Sequence, residues 1–269
     1  MSLVVLLALA AGCRDADHPQ DRAEIAVTNS YLACAVKDLS PAATQVLCLA
    51  PAGMCPGHFD IAPAQVRQLR DCRTLLLFDF QQAIEENLAR LRGRGLRIEH
   101  VPAPAGLCVP ESYLAVCRAV GQILSRVYPE KAARFEARLA VIEHRLQVLA
   151  TDVRGSVAGS GAAGAAVLTS NHQARFAEWL GLRPVSTFIG SDLETVAGVD
   201  HCLKQAAGAD IRFIIANRQE GTGLAQALAE RLQARTVVFS NFPESCDGVD
   251  GFDRLIRGNV DLLLQAAAP

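Results

Sequence analysis

Short apolar runs alternate with longer helical patterns along the chain, and this alternation occurs twice. The segments between the runs repeat apolar positions at steps of three and four, which is typical of amphipathic helices. Such alternation favours parallel sheets built from strand–helix–strand units. The predicted strands are EIAVTNS, TQVLCLA, TLLLFDF and LRIEHVPA in the first half, and AAVLTSN, VSTF, IRFIIAN and RTVVFSN in the second.

A much longer helix is predicted between the two halves, over positions 129–154. Pro129 suits its first turn, and its apolar residues form a single stripe. A coiled coil would explain the stripe, but the segment is near the minimum length for one, whereas a helix lying across both halves also explains its position. The segment GSVAGSGAAGA that follows is expected to be a flexible loop. The stripe contains Ala132, Phe135, Leu139, Ile142, Leu146, Leu149 and Val153.

These elements predict an α/β protein with two lobes, each with a four-stranded parallel sheet flanked by helices, joined by one long backbone helix. The expected divisions are a leader and tether (1–22), an N-terminal lobe (23–128), the linking helix (129–154) and a C-terminal lobe (155–269). In open α/β sheets ligands bind beyond the carboxyl ends of the strands. We therefore expect the functional site in an interlobe cleft, among the loops that follow the strands.

The first thirteen residues, MSLVVLLALAAGC, predict export. Their apolar run is too short to span a bilayer as a mature helix, and it ends in small residues before Cys13, although no Lys or Arg precedes it. The segment LAAGC resembles the processing site of bacterial lipoproteins, which implies that Cys13 is lipidated. We expect an exported protein, lipid-anchored at a bacterial membrane and facing the periplasm or cell exterior. The alternative is an apolar N-terminus with no targeting role.

Composition and motifs argue against nucleic-acid binding and against catalysis. Hydrophobic residues make up 51% of the chain, and the net charge is -2, so the basic field that attracts nucleic acid is missing. The sequence contains neither a G-x-S-x-G elbow nor a phosphate-binding G-x-x-x-x-G-K-S/T loop, and no G-x-G-x-x-G lies between a predicted strand and the helix that follows it. A Cys55–His58 nucleophile and base pair is conceivable, but no third residue that would orient the base can be identified. We therefore expect a binding protein and not an enzyme.

Four loops that follow predicted strands carry groups able to bind a metal. Cys55 and His58 follow the second strand, Cys108 the fourth, His172 the fifth and Asn241 the eighth. Zinc accepts thiolate and imidazole ligands together, and the C-x2-H spacing lets Cys55 and His58 reach one ion. Cys55 is equally suited to a disulfide in an oxidising compartment, with Cys108 as one possible partner.

Four other cysteines lie within apolar helix or strand patterns and are expected to be buried. They are Cys34, Cys48, Cys117 and Cys202.

His172 is the most informative single residue. It follows an apolar strand directly and opens the helical pattern HQARFAEWLGL. At a helix N-terminus the unpaired N–H groups and the positive end of the dipole oppose protonation of an imidazole, and a metal requires the neutral form. We therefore expect a metal ligand, the alternative being a residue that caps or packs at the turn.

The chain resembles the metal-binding solute-binding proteins of zinc and manganese ABC importers. The likeness covers nearly all of the mature chain and is carried by the leader, by IAVTNSYLACAVKDL, by PAGMCPGHFDIAPAQVRQL, by the long helix and by the closing VVFSNFP and GFDRLIRGNVDLL. It implies one divalent ion held between two lobes, typically by three histidines and a carboxylate, and handed to a membrane permease.

The ligand positions depart from that family's pattern. The first histidine is displaced by one residue, to His58, and the segment PAGLCVPES, where the second belongs, offers Cys108 or Glu111 instead. The third falls on or beside His172, and the neutral Asn241 stands in place of the acid. A softer site of this kind favours zinc or copper over manganese. Loss of the ion site, with another small ligand or a partner protein in its place, is one alternative.

We therefore predict capture of a divalent transition metal, with zinc preferred and copper as the other soft candidate. The resemblance implies an ABC transporter permease as partner, and we expect a monomer. One alternative is a carrier of a metal chelate such as cobalamin or a siderophore, whose wide cleft would have a cationic or aromatic lining; an exported enzyme is another. The predicted ligands are His58, His172, Cys55, Cys108 and Asn241.

Overall fold

The computed structural model describes residues 23–40, 45–51, 54, 61–82, 84–86, 88, 95–190, 194–244 and 250–268. Two four-stranded parallel sheets occur in this part of the chain, one in each half. Every predicted strand run contains or overlaps one of their strands. The strands are β1 (Ile25–Val27), β2 (Val46–Cys48), β3 (Thr74–Phe78), β4 (Arg97–Val101), β5 (Ala166–Ser170), β6 (Arg183–Phe188), β7 (Ile211–Asn217) and β8 (Arg235–Phe239).

The two sheets share one topology. The strand order is β2-β1-β3-β4 in the N-terminal lobe and β6-β5-β7-β8 in the C-terminal lobe, and each of these pairs is parallel. Because β5 and β7 are neighbours, the loops that follow them leave the sheet side by side at its carboxyl edge. The predicted architecture of two parallel α/β lobes is confirmed.

Helices connect the strands and cover the sheets. Their starts use ordinary capping chemistry: the Asn29 side chain accepts a hydrogen bond from the backbone N–H of Leu32 at 2.9 Å, and the Thr195 hydroxyl accepts one from Gly198 at 3.0 Å. Within the described residues no helix is long and apolar enough to cross a membrane. The helices with defined bounds are α1 (Ser30–Leu39), α2 (Pro63–Leu69), α3 (Pro110–Val127), α4 (Ala132–Gly159), α5 (Ala174–Trp179), α6 (Val196–Ala206), α7 (Gly223–Leu232) and α8 (Gly251–Ala267).

The long helix α4 lies against both lobes, because it packs on α1 and α3 of the N-terminal lobe and on α8 of the C-terminal lobe. Its predicted stripe is buried from Phe135 to Val153, with Leu139 partly buried. The helix ends at Gly159, so the prediction of a flexible loop from position 155 was wrong for its first residues. The physical reason is Val157, which extends the stripe by one turn and is fully buried. That burial outweighs the cost of two helical glycines, about 1 kcal/mol each.

Aromatic side chains join the lobes through a shared core. Tyr113 of α3 stacks on Phe252 of α8, with their ring centroids 4.0 Å apart and an interplanar angle of 2°. Tyr31 of α1 meets the same Phe252 ring edge-on at 6.0 Å. All three side chains are fully buried. The lobes are therefore packed together through an apolar core and a helix, without a flexible two-strand hinge.

An ionic cluster lies beside this aromatic core. Arg145 of α4 donates to both carboxylate oxygens of Asp38 in α1, at 2.8 and 2.6 Å. It also lies 3.2 Å from Asp253 of α8. The Tyr113 hydroxyl donates to Asp38 at 2.8 Å. One arginine of the long helix thus contacts carboxylates from both lobes.

Candidate functional site

Two of the predicted ligands, Cys55 and His58, lie outside the described residues. The other three, Cys108, His172 and Asn241, are described, and all of them follow strands as predicted. The structure brings Cys108 and Asn241 together, with Sγ and Oδ1 3.5 Å apart. The side chain of His172 has different neighbours.

His172 lies in a short 3-10 helix, Asn171–Gln173, directly after β5. Ser170 caps this turn, because its hydroxyl oxygen accepts a hydrogen bond from the backbone N–H of His172 at 3.3 Å. The His172 side chain is 63% exposed, and its Nδ1 is hydrogen-bonded to the Glu220 carboxylate. Since an ionised carboxylate can only accept, Nδ1 carries the proton and Nε2 is left as the basic nitrogen.

Glu220 was missed by the sequence analysis. It ends the 3-10 helix Arg218–Glu220 that follows β7, the strand next to β5. Its second carboxylate oxygen accepts a hydrogen bond from the Ser170 hydroxyl at 2.6 Å. A single acid in the loop ANRQEG has no spacing that distinguishes it from a solvated surface charge. The available signal was its position directly after a predicted strand, the same feature that marks the loops of His58, Cys108, His172 and Asn241.

The His172–Glu220 pair changes the pKa of both groups. The hydrogen bond to Glu220 raises the pKa of the His172 imidazole, although burial acts in the opposite direction. Burial on its own would raise the pKa of Glu220, but hydrogen bonds from His172 and Ser170 lower it overall. The helix N-terminus was expected to oppose protonation of His172, but the hydrogen bond to the Glu220 carboxylate raises the pKa of the imidazole overall.

The backbone holds Glu220 in place from the adjacent loop. Gly190 follows β6, and a Cβ added to it would lie 2.2 Å from Cβ and 2.8 Å from the carbonyl oxygen of Glu220. Only glycine permits this approach. The loops after β5, β6 and β7 therefore converge on the His172–Glu220 pair.

Asn241 belongs to a buried network of amide side chains. Its Oδ1 accepts a hydrogen bond from Gln173 Nε2 at 3.0 Å, and the same nitrogen lies 3.3 Å from Asn217 Oδ1. Its backbone N–H donates to Gln219 Oε1 at 3.1 Å. Asn241 thus links the loops after β5, β7 and β8, and its side-chain oxygen is already used.

Cys108 connects the two lobes. It is fully buried just before α3, and its thiol donates to the carbonyl oxygen of Ser240 at 3.1 Å. Asn259 of α8 donates to its sulfur at 3.6 Å. Burial raises the pKa of this thiol well above its ordinary value, with the Asn259 hydrogen bond opposing the shift. The sulfur therefore serves as a protonated interlobe donor.

The cysteines within the described part of the chain are free thiols. Cys108 is a free thiol, so it does not form the disulfide with Cys55 that the sequence left open. Three of the cysteines predicted to be buried are buried, and Cys48 is partly buried. Those three are Cys34, Cys117 and Cys202.

A surface cavity of about 570 Å³ opens between the start of α3 and helix α5. Glu111, the other substitute ligand, is exposed in the first turn of α3 and lines this cavity together with Arg175, Glu178 and Trp179. Two carboxylates and one guanidinium give the cavity a mixed charge. Within the residues that the structure describes, no group of three or more His, Cys, Asp or Glu side chains is placed to hold one metal ion.

The chain is similar in sequence to one protein family and in fold to several solved structures. Residues 108–266 match the family model described as ZnuA, zinc-uptake complex component A, periplasmic. No curated protein matches the sequence. Solved structures match its fold over 92% of this chain and the full length of theirs. A crystal structure of ZnuA has a TM-score of 0.73 at 15% sequence identity. The periplasmic metal-binding protein from Candidatus Liberibacter asiaticus scores 0.74 in its cadmium-bound form and 0.73 in its manganese-bound form, both at 13% identity.

Proposed function

Because the chain belongs to the periplasmic zinc-uptake complex component A family, we propose that it captures zinc in the interlobe cleft and delivers it to an ABC transporter permease. Proteins of this family are metal-binding components of transport systems and are not enzymes. The expectation of a binding protein is therefore confirmed by the family. Zinc as the cargo, the permease and the ligand set are our proposal.

The observation that carries the proposal is the Ser170–Glu220–His172 arrangement at the carboxyl edge of the C-terminal sheet. An imidazole that donates one ring N–H to a carboxylate and keeps its other nitrogen basic has the arrangement usual for a metal-binding histidine. The His172 side chain is 63% exposed, so an incoming ion can reach it. Its place directly after β5 is where an open α/β sheet binds its ligand.

The other ligands proposed are His58 and Cys55, from the loop that follows β2 in the opposite lobe. Both loops follow strands at the carboxyl edge of their sheets, which is why the proposal pairs them across the cleft. Cys108 and Asn241 are better suited to the floor of the cleft, since the thiol is fully buried and the amide oxygen already accepts from Gln173. Imidazole and thiolate ligands favour zinc over manganese by their softness.

A metal chelate is the second candidate cargo, and the cavity beside α3 is the feature relevant to it. Its volume of about 570 Å³ suits a small organic ligand. Trp179 is the aromatic side chain in its lining, but the two carboxylates of Glu111 and Glu178 beside Arg175 disfavour an anionic siderophore. The bare ion therefore remains the favoured cargo.

Capture is proposed to occur with little movement of the lobes. The Tyr113–Phe252 stack and the neighbouring Arg145 cluster both join the lobes. Opening the cleft by rigid-body rotation would expose this shared core to water. Release would instead require the permease to displace a ligand-bearing loop, and the Pro- and Gly-bearing loop at positions 51–57 is the candidate.

Export as a lipoprotein completes the proposal and is supported by the LAAGC segment. Cys13 would become the lipidated first residue, and the polar run that follows would tether the lobes to a bacterial membrane. Mass spectrometry of the protein from membranes should find an acylated N-terminal Cys13. An unprocessed N-terminus would contradict it.

Elemental analysis tests the metal proposal. The purified protein, made without a histidine tag, is exposed to zinc, copper, manganese and cobalt in turn and then dialysed. We expect near-stoichiometric zinc, and loss of that zinc in His172→Ala. No retained metal in the wild-type protein, reduced or oxidised, would overturn the proposal.

A further inference from the structure

We propose that Glu220 is a positioning residue of the metal site, which fixes the tautomer and the orientation of His172 so that Nε2 is its metal-binding atom. This inference rests on the proposed function, because it assigns a role within the same site. Glu220 itself need not touch the ion. It would act through the imidazole to which it is bonded.

Both carboxylate oxygens of Glu220 accept hydrogen bonds. Oε1 accepts from Nδ1 of His172, and Oε2 accepts from the Ser170 hydroxyl at 2.6 Å. The carboxylate is thus held between two donors from one turn after β5, with 16% of its side chain exposed. Two directional hydrogen bonds leave it little freedom to rotate.

The hydrogen bond to Glu220 sets which nitrogen of the His172 imidazole carries the proton. A neutral histidine has one protonated nitrogen, and its identity is set by the hydrogen bond that the ring makes. With Nδ1–H donated to Glu220, the lone pair lies on Nε2, at the far side of the ring from the carboxylate. Among the described residues none forms a hydrogen bond with Nε2. Nε2 is therefore the ring nitrogen able to bind a cation.

The backbone around Glu220 is also held in one conformation. The close approach of Gly190 leaves no space for even a methyl group beside Glu220. Gly221, directly after Glu220, has a φ of 87°, which lets the chain leave the turn in a conformation that other residues rarely adopt. A flexible surface acid that meets a histidine by chance would need neither feature.

The chain contains a matched control for this pair. His100 and Glu85 form a second histidine–carboxylate contact, with Nε2 and Oε2 2.8 Å apart. Their side chains are also partly exposed, but His100 lies within β4 and Glu85 in a helical segment of the N-terminal lobe. Removing Glu85 therefore deletes a comparable histidine–carboxylate contact outside the proposed site.

The test is a zinc titration against a chromophoric chelator, with wild type, Glu220→Ala, Glu220→Gln and Glu85→Ala compared at one pH. Glu220→Ala should weaken zinc binding by about 10–100-fold. Glu220→Gln should lose much less, because its amide oxygen can still accept from Nδ1–H and its amide group can bond the Ser170 oxygen. Glu85→Ala should bind zinc like the wild type.

A direct readout of the tautomer separates positioning from stability. Nitrogen-15 chemical shifts of the His172 ring should report a proton on Nδ1 in the metal-free wild type and in Glu220→Gln, and a proton partly on Nε2 in Glu220→Ala. If Glu220→Ala does not fold, Gly190→Ala is the substitute, because its Cβ displaces Glu220 while every polar group is kept.

The outcomes distinguish the two proposals. Wild-type protein that binds no zinc would overturn the proposed function. Wild-type protein that binds zinc with the same affinity as Glu220→Ala would leave that function intact and overturn the role of Glu220. Equal losses in Glu220→Ala and Glu85→Ala would show a general effect of losing a carboxylate, and would also overturn it.

Discussion

Arg145 of the long helix is bonded to Asp38 of the N-terminal lobe through both carboxylate oxygens, and the Asp38 side chain is only 2% exposed. A buried carboxylate tolerates this position because it is paired and hydrogen-bonded. The same guanidinium lies against Asp253 of α8. The connection between the lobes therefore includes a charged contact as well as an apolar core, and it supports a site that is built across the two lobes.

Replacing Arg145 with alanine should be strongly destabilising. Asp38 would keep the Tyr113 hydroxyl but lose its counter-ion, and leaving a buried charge uncompensated costs about 3–5 kcal/mol. Urea unfolding monitored by circular dichroism measures the change. The control is Arg118→Ala, since the Arg118–Glu143 pair is exposed on both sides and should contribute about 0–1 kcal/mol. A small, equal effect of the two substitutions would contradict the structural role of Arg145.

Asp253 should make stability depend on pH. Burial raises the pKa of its carboxyl to about 6, with Arg145 opposing the shift and Asp38 adding to it. The native state therefore holds this proton more tightly than the unfolded state, whose carboxyl has a pKa of about 3.9. Because the native state binds more protons, the contribution of Asp253 to stability falls as the pH rises from about 4 to about 6.

Asp253→Asn removes that dependence and provides the measurement. The variant should gain stability over the wild type as the pH rises through this window, by roughly 1–2 kcal/mol once partial exposure is allowed for. Unfolding free energies of both proteins at several pH values give the difference directly. A variant that becomes less stable than the wild type at neutral pH would mean that the contact with Arg145 outweighs burial.

Cys108→Ala should separate stability from metal binding. The substitution deletes a buried donor to the Ser240 carbonyl and leaves a small cavity, so it should reduce stability by about 1–3 kcal/mol. Zinc stoichiometry should be unchanged. The native thiol should also resist alkylating reagents, because burial raises its pKa and excludes the reagent. Loss of zinc in the variant would show that Cys108 is a ligand.

Two glycines should respond in opposite ways to alanine. A Cβ at Gly155 of the long helix would meet nothing within 4 Å, so Gly155→Ala should stabilise the protein by about 0.5–1 kcal/mol. At Gly106 the backbone has a φ of 71°, and a Cβ would lie 2.6 Å from Cγ of Arg175 in the other lobe. Gly106→Ala should therefore destabilise it by about 1–2 kcal/mol or more. The thermal unfolding midpoints of both variants, compared with that of the wild type, measure the two effects. A stabilising Gly106→Ala would contradict the close interlobe contact.

Much of the fold could be predicted because a buried helix face or strand requires apolar residues at a fixed local spacing, which can be read from the sequence. All the strands arise from apolar runs bounded by turn residues, and the stripe of the long helix persists because one face is buried along its length. The end of the helix was misjudged because burial of Val157 is a tertiary effect that the neighbouring glycines conceal.

The site was only partly predictable, for a related reason. His172 could be identified from its position after a strand, which is a local feature. The pairing with Glu220 depends on β5 and β7 being neighbours in the sheet, and 48 residues separate the two side chains in sequence. The burial of Cys108 depends on the packing of α3 against the loop after β8, which no local pattern encodes. Contacts between residues far apart in sequence, within one lobe or between the two, were therefore the features that sequence reasoning could not supply.

Anomalous X-ray diffraction from crystals soaked in zinc, recorded at the zinc absorption edge, shows directly whether His172 binds the ion. Zinc bound there would give one strong peak per chain, about 2.0–2.1 Å from Nε2 of His172 and within reach of the loop at positions 51–60. A zinc peak located away from His172, or the absence of any peak in crystals of protein that is folded and exposed to zinc, would contradict zinc binding at His172.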